Sequence, residues 1–256
     1  MLHGILDSAA ALPHTPFGDF VEALVPDDIE REVLLELVAL GHPVSPKRGE
    51  AAYIDPCLDQ LVFVADGATK LVAKTSGDRE QIVAFHFAGD LVSVPTQARH
   101  AYALYALSDA HLLAFPAEKF LGSVSRSSSM AGTVVQRMIL ALHRCRDKSA
   151  DLGRKNAEER LCSFFVMMAE RIGAYRNSAC DLVLPMSRRD IADALGLTIE
   201  TVSRQIGRMR ESGLIETKGR SGVTLLQPDT LAARAGHKCS SLGKLENLTS
   251  IKVAGR

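Results

Sequence analysis

Apolar and polar positions follow two different periods along the chain, and the change of period divides it into regions. Residues 29–40 have the apolar spacing of an amphipathic helix, and Gly41 follows as a stop signal. From about residue 50 to 115, short apolar runs are broken by turn residues, which is typical of an antiparallel sandwich, roll or small barrel. The run QLVFVADGATKLVA contains Asp66 and Gly67 between two strand-like stretches, so we expect a β-hairpin there.

After residue 116 the period becomes helical and stays helical for a long stretch. Over residues 128–152, apolar or small residues alternate three and four positions apart, which is the spacing of a coiled-coil seam. These seam positions are Val135, Met138, Leu142, Cys145, Ser149 and Leu152. The helix can pair in parallel with a second copy of the chain, placing Cys145 beside its counterpart, or pack on its own β-region. A second amphipathic helix is predicted over residues 154–175.

Residues 187–213, SRRDIADALGLTIETVSRQIGRMRESG, predict two short helices joined by a tight turn. Ser187 and Asp190 have the spacing of an N-cap and its partner in a capping box. Gly196 can adopt the left-handed conformation that ends a helix, and Thr198 can cap the next one. This arrangement is a helix-turn-helix. The run LIETKGRSGVTLL that follows predicts a β-hairpin, which would form the wing of a winged helix.

The second of these helices leaves Glu200, Ser203 and Arg204 facing outward near its N-terminal half, the part of a recognition helix that enters the major groove. Arginine can donate two hydrogen bonds to guanine O6 and N7, and glutamate can accept one from cytosine N4. A further set is placed to contact phosphates, which fix register without reading sequence. This set comprises Ser187, Thr198, Thr201, Arg208 and Lys218. The alternative is a helical hairpin whose charged side chains are merely solvated.

The distribution of charge supports a polyanionic partner for the C-terminal part. The 256 residues contain 30 Lys and Arg and 30 Asp and Glu, so the formal net charge is zero. Residues 1–182 contain 18 basic and 23 acidic side chains, whereas residues 183–256 contain 12 basic and 7 acidic ones. A basic end is typical of a nucleic-acid contact, although attraction between the two halves would favour the same layout.

Composition and motifs exclude several other classes of protein. No apolar run approaches the ~18 residues of a membrane-spanning helix, and the N-terminus does not resemble a secretory signal. Five scattered cysteines without a CxxC pair argue against a disulfide framework or a structural metal site, so we expect a cytoplasmic protein. The chain also lacks GxSxG, HExxH, P-loop and dinucleotide-binding motifs, so we do not expect an enzyme.

Three segments resemble the CRP/FNR transcription regulators, in particular their FNR and FixK branch. RKNAEERL at 154–161 and LPMSRRDIADALGLTIETVSRQIGRMRESGLIETKG at 184–219 are similar to the DNA-binding part of that family. SGDREQIVAFHFAGDLVS at 76–93 is similar to its β-region. The resemblance covers about residues 20–236 and implies a homodimeric regulator that binds palindromic double-stranded DNA and acts on RNA polymerase. Activator is the expected class, and repression stays open.

The resemblance implies an α+β fold with an N-terminal antiparallel β-roll like a cyclic-nucleotide-binding domain, a long dimerisation helix and a C-terminal winged helix-turn-helix. The corresponding boundaries in this sequence are an arm at 1–28, the β-roll at 29–125, the dimerisation helix at 126–153, the winged helix at 154–236 and a tail at 237–256.

The motif E-x-x-S-R at Glu200, Ser203 and Arg204 accompanies sites of the type TTGAT–N4–ATCAA in the FNR and FixK branch. Carried over, Arg204 would read the guanine, Glu200 the cytosine edge of the opposing strand, and Ser203 the neighbouring thymine. The CRP branch has Arg before the Glu and Gly in place of the Ser. Here those positions are Ile199 and Ser203, which favours FNR-type specificity.

The same resemblance raises the question of a cofactor. Residues 1–56 contain no cysteine, so the iron–sulfur cluster of FNR proteins, which needs four ligands, is excluded. The segment GDLVSVPTQARHA departs from the phosphate cassette of a cAMP pocket, because Asp90 stands in place of Glu and Val92 in place of Gly. Arg99 resembles the phosphate-binding Arg at a shorter spacing, so Asp90 and Arg99 are kept as a candidate effector pocket, and binding of a cyclic nucleotide stays open as an alternative. The interpretation that we favour has no cofactor and no metal.

Other modes of control stay open at the level of sequence. Eight histidines could include a haem ligand, although none has motif spacing. Cys145, between two arginines, and Cys180, in the loop before the helix-turn-helix, are candidates for thiol-based redox control. FixK-like regulators need no small ligand, and this is the reading we favour. A β-roll signalling module that does not bind DNA is the remaining alternative, and the intact E-x-x-S-R motif argues against it.

Overall fold

The fold divides into two units, one ending at Cys145 and the other beginning at Arg146, so that the division falls within a helix. The computed structural model describes residues 15–52, 55–74, 80–96 and 98–236. The predicted tail at 237–256 and the first fourteen residues of the predicted arm lie outside this part of the chain.

In the described part of the first unit, short helices flank seven strands, and a long helix continues from it into the second unit. In chain order these elements are α1 (Pro16–Leu24), α2 (Arg31–Leu40), β1 (His42–Val44), β2 (Gln60–Asp66), β3 (Ala68–Lys74), β4 (Glu80–Phe87), β5 (Leu91–Val94), β6 (Ala101–Ala106), β7 (His111–Pro116), α3 (Ala117–Val124) and α4 (Ser128–Arg154). The elements after α4 are α5 (Ala157–Ile172), β8 (Ala174–Arg176), β9 (Ala179–Val183), α6 (Arg188–Leu195), α7 (Ile199–Glu211), β10 (Ile215–Lys218), β11 (Gly222–Leu225) and α8 (Pro228–Arg234).

Two antiparallel sheets form the β-region, with strand orders β1-β7-β2-β5 and β4-β3-β6. Side chains alternate between the two faces of β2. Leu61 and Phe63 pack with the helices, whereas Val62 and Val64 join the core between the sheets. Burial on both faces explains why β2 is a continuous apolar run rather than an alternating one.

The helical side of this core is centred on Phe20 of α1. Its ring lies 5.5 Å from that of Phe63 and 5.1 Å from that of Phe115, between ring centroids. Residue 20 falls in the predicted arm, but the structure places it in a helix, because Pro16 occupies the first turn of α1 and Thr15 caps it. Proline has no N–H to lose at a helix start, so here it marks a boundary rather than a loop.

The predicted hairpin at Asp66 and Gly67 is wrong. β2 and β3 lie on either side of these residues, but β2 pairs with β5 and β7, whereas β3 pairs with β4 and β6. Gly67 has φ +83°, and a Cβ there would lie 2.5 Å from the carbonyl oxygen of Asp109. The glycine therefore allows the chain to cross from one sheet to the other past a neighbouring backbone.

In the second unit, α5 begins at a capping box formed by Asn156 and Glu159. This helix is amphipathic as predicted, and its apolar face packs in the core, including Phe164 and Phe165. A sheet of order β10-β11-β9-β8 completes the unit. The predicted wing is confirmed, because β10 and β11 pair antiparallel.

α4 is a 27-residue helix whose first turns are buried at Met130 and Val134. Its later apolar residues are exposed in the single chain. None of the helices in the described ranges is both long enough and apolar enough to cross a membrane.

Candidate DNA interface

The first helix of the helix-turn-helix, α6, is held at both ends as its sequence predicts. The Ser187 hydroxyl accepts a hydrogen bond from the Asp190 N–H at 3.1 Å, and the Asp190 carboxylate accepts from the Ser187 N–H at 2.8 Å. Gly196 ends the helix with φ 63° and ψ 41°, which is the left-handed conformation. Ala192 is buried, so a small side chain lies where the two helices pack.

The second helix, α7, starts at Thr198, whose hydroxyl accepts from the Thr201 N–H at 3.2 Å. Val202 and Ile206 are buried and hold the helix on its own domain. The opposite face carries the predicted base-reading residues, of which Glu200 and Arg204 are exposed and Ser203 is half-buried. The structure thus presents the E-x-x-S-R motif on one accessible surface of a capped helix.

The carboxylate of Glu200 stays ionised as a hydrogen-bond acceptor. Its own backbone N–H and the Thr198 hydroxyl hold the pKa of Glu200 below the usual value. An ionised carboxylate only accepts hydrogen bonds, which is the chemistry that a cytosine N4 amino group requires. Arg204, one turn further along the helix, is an exposed donor.

Arg188 is a residue that sequence reasoning missed. It follows the N-cap of α6, is exposed, and donates from Nη1 to the Ser203 hydroxyl at 3.4 Å. A cation is therefore positioned beside the serine that is predicted to read a base. The position after an N-cap is the one local signal that could have identified it.

The predicted phosphate-contacting residues divide into two groups. Ser187, Thr198 and Thr201 use their hydroxyls within the caps of α6 and α7, and Ser187 and Thr198 are exposed. Arg208 on α7 and Lys218 at the end of β10 are exposed cations. The first group lies at helix N-termini, where backbone N–H groups favour anions, and the second supplies positive charge.

The predicted seam of α4 is an exposed apolar stripe in the single chain. Val135 is 52% exposed and Leu142 47%. Met138, Cys145 and Ser149 are also exposed. Ile139, outside the predicted seam, adds a 46% exposed side chain to this stripe. Leu152 differs: it is half-buried, and a methyl group placed on Gly196 would lie 3.6 Å from its Cδ2 atom.

The other face of α4 is tied to the first unit by two arginines. Arg137 donates to the carbonyl oxygen of Ala23, at the end of α1, at 3.1 Å. Arg144 lies 3.4 Å from the carboxylate of Asp90, in the turn between β4 and β5. The exposed stripe therefore lies on the opposite side of α4 from the face whose arginines already contact the first unit.

Asp90, a candidate for an effector pocket, has partners within the chain. Its carboxylate accepts from the Phe87 N–H at 3.0 Å, and it lies 3.8 Å from His86 as well as near Arg144. Arg99 is exposed between β5 and β6.

The two candidate redox cysteines differ in their environments. Cys180 is buried beside Tyr175, and burial together with the neighbouring Asp181 raises the pKa of its thiol. A thiol that is buried and harder to ionise is a poor nucleophile, so the structure argues against a redox role for Cys180. Cys145 is exposed on α4. Within the described ranges, no group of three His, Cys, Asp or Glu side chains could hold a metal ion.

Comparisons with known proteins agree with this geometry. The Crp-like helix-turn-helix domain family matches residues 159–234. The nitrogen fixation regulation protein FixK of Bradyrhizobium diazoefficiens is 30% identical over 203 residues, covering 79% of this chain and 85% of that protein. The fumarate and nitrate reduction regulatory protein of Salmonella typhimurium is 33% identical over 182 residues, covering 70% of this chain and 72% of that protein.

Solved structures show the same fold. FixK2 from Bradyrhizobium japonicum superimposes with a TM-score of 0.65 at 28% identity, covering 75% of this chain and 96% of that one. A CooA mutant from Carboxydothermus hydrogenoformans superimposes with a TM-score of 0.69 at 20% identity, covering 84% and 95%. These relatives combine a cyclic-nucleotide-binding fold with a helix-turn-helix, and the FixK and FNR relatives are regulators rather than enzymes. The chain therefore belongs to the CRP/FNR family of transcription regulators, in its FixK/FNR branch.

Proposed function

We propose that this regulator binds, as a homodimer, palindromes of the type TTGAT–N4–ATCAA. The observation that carries this proposal is the accessible face of α7, where Glu200, Ser203 and Arg204 lie on a capped helix with Ile199 before them. Arg204 would donate to a guanine and Glu200 would accept from a cytosine, once in each half-site. Two such helices, about one helical turn apart, read the two halves of a palindrome.

The partner that we propose for the apolar stripe of α4 is a second copy of the chain. The stripe has the three-and-four spacing of a parallel coiled coil, and its opposite face is occupied by contacts with α1 and Asp90. Isologous pairing would place the same residues of both copies together, with Cys145 near its counterpart. The pairing would also set the distance between the two recognition helices.

Control by cAMP, haem or an iron–sulfur cluster is not part of the proposal. Asp90 is held by contacts within the chain, and the cysteines that an FNR-type cluster needs are missing from residues 1–56. As a regulator of transcription in the cytoplasm, the dimer would act on RNA polymerase. Activation or repression would then follow from the position of the site at each promoter.

Fluorescence anisotropy tests this function. The protein, as purified in air, is titrated onto a TTGAT–N4–ATCAA duplex and onto a scrambled duplex at one fixed near-physiological salt concentration, since electrostatic binding depends on salt. We expect affinity for the palindrome to exceed that for the scrambled duplex by about 10³-fold or more. An absorption spectrum of the same sample is expected to show no visible band.

Three results would contradict parts of this proposal. Equal binding to both duplexes would overturn the assignment of the palindrome. Selective binding that appears only after addition of cAMP would overturn ligand independence, and a haem band in the spectrum would do the same. Binding by a species that sediments as a monomer would overturn the homodimer.

A further inference from the structure

The Arg160 side chain, on the first turns of α5, joins three separate segments of the second unit. Its Nη2 donates to the carbonyl oxygen of Leu152 at 2.8 Å, its Nε to that of Lys155 at 2.9 Å, and its Nη1 to that of Leu195 at 3.0 Å. Leu152 lies in the last turn of α4, and Leu195 is the last residue of α6. One guanidinium therefore links the end of the long helix to the end of the first helix of the helix-turn-helix.

These acceptors suit an arginine in particular. The last carbonyls of a helix have no partner within the helix and carry its partial negative charge, so a cation there is favourable. The planar guanidinium presents donors in fixed directions, which a lysine ammonium does not. Arg160 is half-buried, so these contacts are only partly shared with water.

The junction between α4 and α5 is braced from a second side. Lys155 contacts the Asp151 carboxylate at 2.6 Å and donates to the buried Ser163 hydroxyl at 2.7 Å. Asn156, the next residue, is fixed by the capping box of α5. The two residues between the helices are thus held by side chains from both of them.

We propose that Arg160 is a positioning residue that fixes α6, and α7 packed on it, relative to the end of α4, and so determines which spacer length between half-sites the dimer accepts. This inference rests on the proposed function, because it requires a dimer that reads two half-sites. Arg160 itself would touch no base. Substitution of Arg160 would change the preference for spacer length and leave the base preference within each half-site unchanged.

The length of the spacer is a sensitive measure of how far apart the two recognition helices lie. One added base pair moves the half-sites apart by about 3.4 Å along the axis. Symmetry divides this displacement between two protomers, so each recognition helix would need to shift by about 1.7 Å and also rotate with the groove. A junction held by the Arg160 hydrogen bonds would resist this movement of the recognition helix. A junction without them would allow it.

The test is a spacer series in anisotropy, with TTGAT half-sites separated by three, four, five or six base pairs, together with a single half-site and its scrambled form. For the wild type we expect affinity to fall by about 10²-fold away from N4, because only one half-site can then be engaged. For Arg160→Gln we expect a shallower fall of about tenfold or less, with unchanged preference for TTGAT over scrambled half-sites.

Two further variants serve as comparisons for Arg160→Gln. Arg154→Gln removes a charge from an exposed arginine at the end of α4 and is expected to keep the wild-type spacer profile. Arg160→Lys keeps the charge but not the fork of donors, and is expected to lie between wild type and Arg160→Gln. If Arg160→Gln does not fold, as judged by circular dichroism, Arg160→Lys decides the outcome.

A flattened spacer profile with intact half-site discrimination supports the positioning role. An unchanged profile overturns it, as does a folded variant that loses half-site discrimination and spacer preference together. A wild-type protein that does not prefer TTGAT half-sites overturns the proposed function itself and this inference with it. The two failures are distinguishable, because the second is visible without any variant.

Discussion

Two carboxylates that the sequence marks as candidate ligand-binding groups, Glu200 and Asp90, have opposite surroundings in the structure. Glu200 is exposed on α7 and is bonded locally to its own N–H and to Thr198, so that its outer face is accessible. Asp90 is only 14% exposed in its side chain and is held by Phe87, with Arg144 and His86 beside it. The first carboxylate is available to a partner, and the second already has partners within the chain.

A sequence motif therefore identifies a binding group only when the fold leaves that group accessible. On α7 the residues that stabilise the helix, Thr198 and Val202, are distinct from those that face outward. In the turn between β4 and β5, Asp90 would have to stabilise the turn and bind a ligand with the same carboxylate. We therefore expect substitutions on α7 to change DNA binding without changing stability, and substitution of Asp90 to do the reverse.

The largest effect is expected for Arg204→Ala. Loss of two hydrogen bonds to guanine should weaken binding to the palindrome by about 1–3 kcal/mol per half-site. Because Arg204 is exposed, the melting temperature should stay within about 1 °C of the wild type. Anisotropy on the palindrome and the scrambled duplex, with thermal melting of the same samples, checks both statements.

Lys218→Ala is the matched control for that experiment. Lys218 is also an exposed cation, but it lies on the wing, where a phosphate contact carries no sequence information. We expect it to weaken both duplexes similarly and to reduce the salt slope by about 1 per half-site. If Arg204→Ala behaved in the same way, Arg204 would not be a base-reading residue.

The second largest effect is expected for Leu142→Glu, which tests the stripe of α4. A carboxylate at this exposed position would face its symmetry mate in a parallel dimer, so we expect a monomer by analytical ultracentrifugation. Affinity for the palindrome should fall by about 10²-fold or more, since the second half-site no longer binds in the same complex. Affinity for a single half-site should not change.

Leu121→Glu is the control, because Leu121 is 42% exposed but lies on α3. It is expected to remain dimeric. Oxidative crosslinking through Cys145 gives an independent view of the same seam: a disulfide-linked dimer is expected for Leu121→Glu and not for Leu142→Glu. A dimeric Leu142→Glu protein would place the interface elsewhere.

The structure separates what local sequence determines from what distant contacts determine. Gly196 and the cap at Thr198 are local features, since the hydrogen bonds involved span a few residues, and both were predicted correctly. Asp66 and Gly67 were assigned to a hairpin because their local pattern is the same whether the flanking strands pair with each other or with other strands. The pairing of β2 with β5 and β7 decides between these, and it joins distant parts of the sequence.

Side chains near the interface are likewise predictable only where local sequence determines their positions. Glu200, Ser203 and Arg204 could be identified from sequence, because helical spacing alone places them on one face. Arg160 could not, because its Leu195 acceptor is a backbone group 35 positions away. Backbone acceptors leave no trace in the residue types, so contacts of this kind become visible only in the structure.

A smaller effect is expected for Asp90→Ala. Removal of a carboxylate that accepts from a backbone N–H and contacts an arginine should lower the free energy of unfolding by about 1–3 kcal/mol. Preference for TTGAT over scrambled half-sites should be retained, and cAMP should not shift the melting temperature of either protein. Glu22→Ala, an exposed carboxylate on α1, is the control and should melt like the wild type. Stabilisation by cAMP of the wild type but not of Asp90→Ala would show that Asp90 does serve an effector.

The smallest effect is expected from pH acting through Glu200. Its pKa is held below the usual value of 4.5, and a carboxylate with a lowered pKa loses its ionised form only as the pH falls through that lower value. Discrimination at the base pair read by Glu200 should therefore be constant between about pH 6 and 8, where a carboxylate of this kind does not titrate. The measurement is the ratio of affinities for the palindrome and for a duplex changed at that base pair, at constant salt. Glu200→Gln should lose the preference at every pH, and a wild-type ratio that changed across this range would mean that a histidine, rather than Glu200, governs the contact.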